Sequence, residues 1–354
     1  MINIKKNNIS SLKIAFTYIG VVVGAGFATG QEILQFFLQY GFFGLIGIII
    51  STLMFIIIGY IIMKIGRKIN ANSHLKIIEY ANGKVLGKVI DLMITFFLFG
   101  SLTVMISGTG ALFHQQFNLP YYLGGFLMSI LTIITVLSGI KGIINSISFI
   151  VPFLIINLFG ICLYSFINNP LNINYINPIN IKNNWLLASL LYVSYNIILS
   201  ISILGPLGVE AKDLKTIKKG AIIGGLGLGI GSMIIYLTLA NNLFKIIHLE
   251  VPMIFIVSQI SSFFKIIYTI VLLAEIYTTA VGSLYGFVSR IKNITIFSNL
   301  EKPITIITMI IALFLSKLGF SNLIKYLYPF IGYIGLILLI GLFYHYLIKN
   351  TSKN

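Results

Sequence analysis

Glu275 stands in the middle of an apolar stretch, within the run Leu273-Ala274-Glu275-Ile276-Tyr277-Thr278-Thr279-Ala280-Val281-Gly282. On a helix, positions i, i+3 and i+4 share one face, so Glu275, Thr278 and Thr279 present a carboxyl group and two hydroxyls together. These are hard oxygen donors suited to an alkali cation, and the carboxyl alone is suited to a proton. A second carboxylate, Glu32, follows Gly24-Ala25-Gly26-Phe27-Ala28-Thr29-Gly30-Gln31 in another apolar stretch. Of the 8 acidic residues, Glu79, Asp91, Glu210, Asp213, Glu250 and Glu301 fall in connections or at the ends of apolar stretches. Only Glu32 and Glu275 lie inside, with no Lys, Arg or His in register to pair with either. An ionised side chain in hydrocarbon costs about 2.5–3.5 kcal/mol on insertion scales. Each Glu must therefore be protonated, hydrogen-bonded to a neighbouring helix, or neutralised by a bound cation; a permanently protonated structural Glu meets the same requirement.

Two backbone features accompany these carboxylates. Gly24, Ala25 and Gly26 sit near the middle of Leu12–Tyr40 and follow the β-branched run Val21-Val22-Val23. Three small residues there weaken the helix, and carbonyls and amides freed by a break could bind an ion or a polar ligand. Close helix packing explains the same glycines, but Gln31-Glu32 two turns on favours a site. In Trp185–Gly208, Ser194-Tyr195-Asn196 lie at the middle, with Ser200 and Ser202 one turn further and Gly205-Pro206-Leu207-Gly208 at the end. A midplane Asn bridges helices or faces a cavity, and a break is expected between Tyr195 and Ser200.

The elements that must position these groups are membrane helices. The chain has 354 residues, 58% hydrophobic and 9% charged, with one cysteine, Cys162. Soluble domains are about a quarter charged, so a soluble protein, a disordered chain and a disulfide scaffold are excluded. At about 20 residues per span, this length holds roughly ten to twelve spans. Ten apolar stretches stand out: Leu12–Tyr40, Phe42–Ile65, Leu86–Phe117, Tyr121–Ile140, Ile143–Ile167, Trp185–Gly208, Gly220–Phe244, Phe263–Arg290, Pro303–Leu318 and Leu323–Ile348. The first lacks a cleavage pattern and is expected to remain in the mature protein.

The net charge of +16 is orientation rather than nucleic-acid affinity. With the N-terminus inside, only Lys182, Lys245, Lys265, Lys317 and Lys325 face outward, leaving 19 of the 24 basic residues on the inner side. That bias predicts cytoplasmic N- and C-termini and an even number of spans. Three connections are long enough to have structure. His74–Lys88 is amphipathic, an inner-interface segment; Asn168–Asn184 is an irregular outer loop rich in Asn and Pro; Phe244–Ser262, with Pro252 at a helix start, predicts a lid helix on the outer face.

Ten spans divide into two groups of five, residues 12–167 and 185–348, and five being odd, the second group runs with opposite polarity. That is an inverted repeat, with a binding site at the midplane where spans are interrupted. The glycines of Gly220–Gly231 and of Ser107-Gly108-Thr109-Gly110 are expected to serve helix packing, and Cys162 to be a core residue. His74, His114, His248 and His345 have no metal-ligand spacing.

The runs Val23–Glu32 and Ala274–Gly282, together with length and span order, resemble the bacterial YkvI-like membrane proteins. More distantly the chain resembles the amino acid–polyamine–organocation superfamily and the sodium-coupled neurotransmitter symporters. The resemblance implies an all-α fold with interrupted first and sixth helices, in the bacterial cytoplasmic membrane. It implies a cation site made by the first-helix carbonyls of Gly20 and Val23 with Glu275, Thr278 and Thr279. Glu stands where sodium-coupled members carry a small residue, so the implied coupling ion is Na⁺ or H⁺; Phe27 replaces the Asn of a second sodium site. The solute would meet Gly24, Ala25, Gly26, Tyr195 and Asn196, with Glu32 on the pathway.

These readings predict a cation-coupled secondary transporter of a small polar solute, such as an amino acid or related compound, and no enzyme. No cofactor, nucleic acid or metal beyond a Na⁺ is expected; the partners are the lipid bilayer and a small-molecule solute. The rivals are a ligand sensor on the same fold, which binds without accumulating, and an intramembrane enzyme, for which no His, Cys or paired-carboxylate constellation lies at one depth.

Overall fold

The computed structural model describes residues 9–71, 73–138, 156–157, 160–161, 163–164, 167, 184–292 and 300–351. The expected fifth span, Cys162 and the loop 168–183 lie largely or wholly outside the described residues. The first apolar stretch is three short helices, α1 (Ser11–Val22), α2 (Ala25–Ala28) and α3 (Gln31–Phe36). After them come α4 (Phe42–Lys68), α5 (His74–Phe117) and α6 (Tyr121–Leu137). The later part of the chain holds α7 (Trp185–Glu210), α8 (Leu214–Ala240), α9 (Leu243–Ile246), α10 (Pro252–Ile260), α11 (Ser262–Lys292), α12 (Glu301–Leu315) and α13 (Phe320–Thr351). Six of the described helices are long and apolar enough to cross a membrane. Large apolar side chains such as Phe16, Leu53, Ile134 and Ile340 face outward, the surface of a protein surrounded by lipid rather than water.

Glycine determines how closely the helices approach. On α8, Gly220 and Gly224 admit Ile14 and Tyr18 of α1, while Gly225 and Gly229 admit Ile56 and Thr52 of α4. A small-residue ridge facing each neighbour is how helices associate where lipid competes for apolar contact. Tyr18 then donates its hydroxyl to the Phe55 carbonyl at 2.8 Å, which fixes α1 against α4. The expected packing role of Ser107–Gly110 also holds: Gly108 faces Phe320 and Gly110 faces Tyr121.

The amphipathic segment before the third span is helical and continuous with it, except at Gly83, whose φ of 80° and ψ of 169° kink α5. Its buried Ile77 and Ile78 dock on the bundle, and Asn82 donates to the Ile337 carbonyl at 2.9 Å. The expected lid helix is α10, with Pro252 at its first turn, where the missing N–H costs nothing.

One expectation is corrected. The sixth span is unbroken: α7 runs as a single helix from Trp185 to Glu210. Its serines and Asn196 bond to carbonyls of the preceding turn rather than opening the helix. Asn196 donates to the Tyr192 carbonyl at 3.0 Å, and Ser194 donates to that of Leu190. Pro206, near the end, removes one intrahelical donor without ending the helix.

Candidate functional site

The first apolar stretch breaks twice. Val23 (φ −71°, ψ 107°) and Gly24 (φ −121°, ψ −173°) are both extended, one residue earlier than the centre of the Gly24–Gly26 run. Gly24 caps α2, so Ala25 and Gly26 are helical rather than unwound. The second break is at Gly30, whose φ of 79° is in the left-handed region, a conformation glycine adopts without a Cβ penalty. The Val23–Gly24 break is the consequential one. A continuous helix would join the amides of residues 24–27 to the carbonyls of residues 20–23. Here the last bond of α1 runs from the Val23 amide to the Ile19 carbonyl at 2.8 Å, and the next from Ala28 to Gly24 at 3.0 Å. Four carbonyls and four amides between them have no backbone partner.

Those groups border a cavity of about 230 Å³. Its walls are Gly20–Gly26 and Glu32 from the broken segment; Leu98, Ser101 and Met105 from α5; and Tyr195, Asn196, Leu199 and Ile203 from α7. Glu275, Thr278, Thr279, Gly282 and Ser283 from α11 and Tyr328 from α13 complete it. The residues expected to hold the cation or the solute or to lie on the pathway, namely Gly20, Val23, Gly24, Ala25, Gly26, Glu32, Tyr195, Asn196, Glu275, Thr278 and Thr279, line this one cavity; Gln31, Ser194, Ser200 and Ser202 do not. The residues missed were Ser101, Ser283 and Tyr328. Ser283 donates to Ser101 at 3.0 Å across the α5–α11 contact, and neither serine carries a sequence signal that separates it from ordinary helix packing.

The polar atoms of the cavity are mostly uncommitted. Glu32 and Glu275 are 4% and 3% exposed, and Oε2 of each lacks a hydrogen-bond partner. Thr278 donates to the Glu275 carbonyl at 2.9 Å, as a helical threonine does, and keeps its lone pairs free. The described lining contains two carboxyls and no Lys, Arg or His. Asp91, His74 and Arg290 form the ion-pair cluster of the described residues, with Arg290 2.7 Å and His74 2.9 Å from Asp91, and none of the three lines the cavity.

Beyond the cavity, hydrogen bonds close the bundle around the end of α2. Met253, at the start of α10, donates its amide to the Thr29 carbonyl at 3.1 Å. Tyr268 donates to the Ala28 carbonyl at 2.5 Å. Gln115 brackets Val251, giving a hydrogen bond to its carbonyl at 2.9 Å and accepting one from its amide at 3.1 Å. An aromatic layer completes the seal: Tyr195 packs against Phe36 at 5.6 Å, Phe97 at 6.3 Å and Tyr328 at 4.8 Å between ring centroids.

An interrupted first stretch beside a central polar cavity, within an all-α bundle with a lipid-facing surface, defines a polytopic membrane protein. The chain superimposes on the inward-facing conformation of Mhp1 with a TM-score of 0.70 and 14% identity, over 94% of this chain and 76% of that one. It matches MhsT in complex with L-phenylalanine with a TM-score of 0.63 and 19% identity, over 95% and 88%. A Na⁺-coupled sialic acid symporter gives 0.62 and 12%, over 95% and 79%. At these identities the likeness is one of fold.

Sequence relatives are closer. The chain is 35% identical over 329 residues to "Uncharacterized membrane protein YkvI" of Bacillus subtilis (strain 168), covering 92% of this chain and 93% of the relative. It is 33% identical over 336 residues to "Uncharacterized protein YyaD" of the same strain, covering 94% and 96%. No family model matches the chain. The chain belongs to the YkvI family of membrane proteins.

Proposed function

We propose that this protein is a cation-coupled secondary transporter of a small polar solute, such as an amino acid or related compound, working by alternating access. One observation carries the reading: the carbonyls freed at the Val23–Gly24 break and the Glu275–Thr278–Thr279 face border the same cavity. Carbonyls of Gly20 and Val23 with two hydroxyls and the Glu275 carboxyl form an oxygen set suited to Na⁺, or to H⁺ at Glu275 alone. The solute would lie beside Gly24, Ala25, Gly26, Tyr195 and Asn196.

In this reading residues 12–167 and 185–348 are inverted repeats, both termini are cytoplasmic, and the membrane is the bacterial cytoplasmic membrane. The cavity then opens along α7 and α11 toward the cytoplasm, with α10 and the aromatic layer closing the outside, which is an inward-facing state. The fold similarity to a Na⁺-coupled symporter supports coupling of this kind.

The test is a thermal-melt series of the purified protein in Na⁺, K⁺ and Li⁺ across pH, for wild type and Glu275→Gln. Cation-specific or proton-dependent stabilisation in wild type that is lost in Glu275→Gln is the expected result. Melting indifferent to both salt and pH in both proteins would overturn the cation site. Binding of a solute without gradient-driven accumulation in proteoliposomes would overturn transport.

A further inference from the structure

We propose that the solute end of the cavity, at Glu32, recognises an organic ammonium group, so that the transported class is compounds that carry one rather than compounds that lack it. The inference rests on the transporter reading only for the word "transported"; the binding preference stands by itself.

Three observations lead to it. The first is charge: the described cavity lining contains Glu32 and Glu275 and no basic side chain. If one inorganic cation or proton serves the Glu275–Thr278–Thr279 face, the second carboxylate still needs a counter-charge, and a buried carboxylate is neutralised or paired. The second is unmet hydrogen bonding. Glu32 Oε2 and Tyr195 Oη are both buried and both without a partner. Both residues line the cavity, so a donor seated between them would satisfy both.

The third is the surroundings of Glu32, which are aromatic. Tyr192, Tyr195 and Tyr328 all lie within electrostatic reach of it, and Phe97 backs the pair Tyr195–Tyr328, 5.6 Å from the latter. An alkali ion needs a shell of oxygens; the Glu275 face adds the Thr278 and Thr279 hydroxyls to its carboxyl, whereas Glu32 stands among the rings of Tyr192, Tyr195 and Tyr328. An alkylammonium ion instead needs one carboxylate and aromatic faces for its N–H or N–CH groups. The two carboxylates thus divide the work: an inorganic cation at Glu275, an organic one at Glu32. A cavity of about 230 Å³ limits the solute to a small ammonium compound.

The probes are butylammonium chloride, butyramide and potassium butyrate, matched in shape and differing in charge, with K⁺ and ionic strength held constant. On the purified full-length protein in detergent, butylammonium should raise the melting temperature, while butyramide and butyrate should not. Glu32→Gln should weaken the butylammonium response by about ten- to a hundredfold in apparent affinity, as expected when a charge-assisted hydrogen bond is lost. A second measurement needs no variant. A hydrophobic carbodiimide modifies buried carboxyls, and peptide mass spectrometry should show butylammonium protecting Glu32.

Equal stabilisation by butyramide or butyrate would overturn the proposal, as would a wild-type response in Glu32→Gln. So would protection of Glu32 by K⁺ or Na⁺ but not by butylammonium. Because binding is read without a membrane, its failure is separate from failure of transport. A protein that binds butylammonium yet accumulates none keeps this inference and loses the transport reading. One that accumulates only solutes without an ammonium group does the reverse.

Discussion

The carboxyl group of Glu32 occupies the space where residue 26 would carry its Cβ: such an atom would sit 2.8 Å from Cδ and 2.9 Å from Cγ of Glu32. Gly26 is therefore glycine for a reason other than flexibility, since its own backbone is helical. It lets an acidic side chain fold back against the broken segment and reach the cavity. Gly24, two residues earlier, has nothing within 4 Å of its would-be Cβ and an extended backbone that any residue adopts. The two glycines should respond oppositely to alanine. Gly26→Ala forces Glu32 aside, a change of the overpacking kind that costs about 1–3 kcal/mol, and should abolish ligand-dependent stabilisation. Gly24→Ala should leave the melting temperature near wild type and only narrow the cavity, read as weaker binding of larger probes.

The closure beyond the cavity is held by a few named hydrogen bonds. Gln115→Ala removes both of its bonds to the Val251 backbone, and Tyr268→Phe removes the bond to the Ala28 carbonyl. At about 0.5–1.5 kcal/mol each, Gln115→Ala should loosen α10 by roughly 1–3 kcal/mol. Amide exchange of residues 253–257 should accelerate accordingly, while exchange in α4 and α7 stays unchanged. Equal acceleration everywhere would mean that Gln115 supports the whole bundle rather than the lid.

Just ahead of that lid, burial holds the Glu250 carboxyl above the ordinary carboxylate range, opposed by the Phe320 and Ser321 amides at the start of α13, by His114 and by Tyr121. The native protein therefore binds this proton more tightly than the unfolded chain does. The resulting stability is fully present below the ordinary glutamate pKa and is lost as pH rises through the folded-state value. Glu250→Gln cannot titrate. The melting temperature of wild type should accordingly fall relative to Glu250→Gln as pH rises through the acidic range, and a constant difference would show that Glu250 is not the group responsible.

Much of this site was legible in the sequence because a membrane makes charge conspicuous. Glu32 and Glu275 stand out in apolar runs, Gly24–Gly26 mark a weak point, and Pro252 marks the start of α10. The misses have physical causes. A break in α7 was expected from Ser194–Asn196, but serine and asparagine side chains can bond to carbonyls of the preceding turn, and here they do. A polar cluster is thus as compatible with a continuous helix as with a broken one. The second break, at Gly30, depends on a left-handed glycine that looks in sequence like any other glycine of a membrane helix. Tyr328 and the Ser101–Ser283 pair were invisible for another reason: they matter through neighbours far away in the chain, and no periodicity within one helix reveals which side faces a cavity.

Thr278 and Thr279 are adjacent in sequence but not equivalent in structure, and this separates a cation ligand from a structural hydroxyl. Thr278 is buried and gives its hydrogen to the Glu275 carbonyl at 2.9 Å; Thr279 is half-buried, and its hydroxyl makes no hydrogen bond among the described residues. Thr278→Ala should therefore lower stability by about 0.5–1.5 kcal/mol even without added cation, and lower its cation response as well. Thr279→Ala should melt like wild type without cation and lose the cation-dependent increment alone. Serine at either position restores the hydroxyl without the methyl group and should restore the increment. Melting curves without added cation and in Na⁺ for the two alanine and two serine variants distinguish the cases. If Thr279→Ala keeps the full increment, the cation is not held by this face, and the coupling ion would have to be sought as a proton on Glu275.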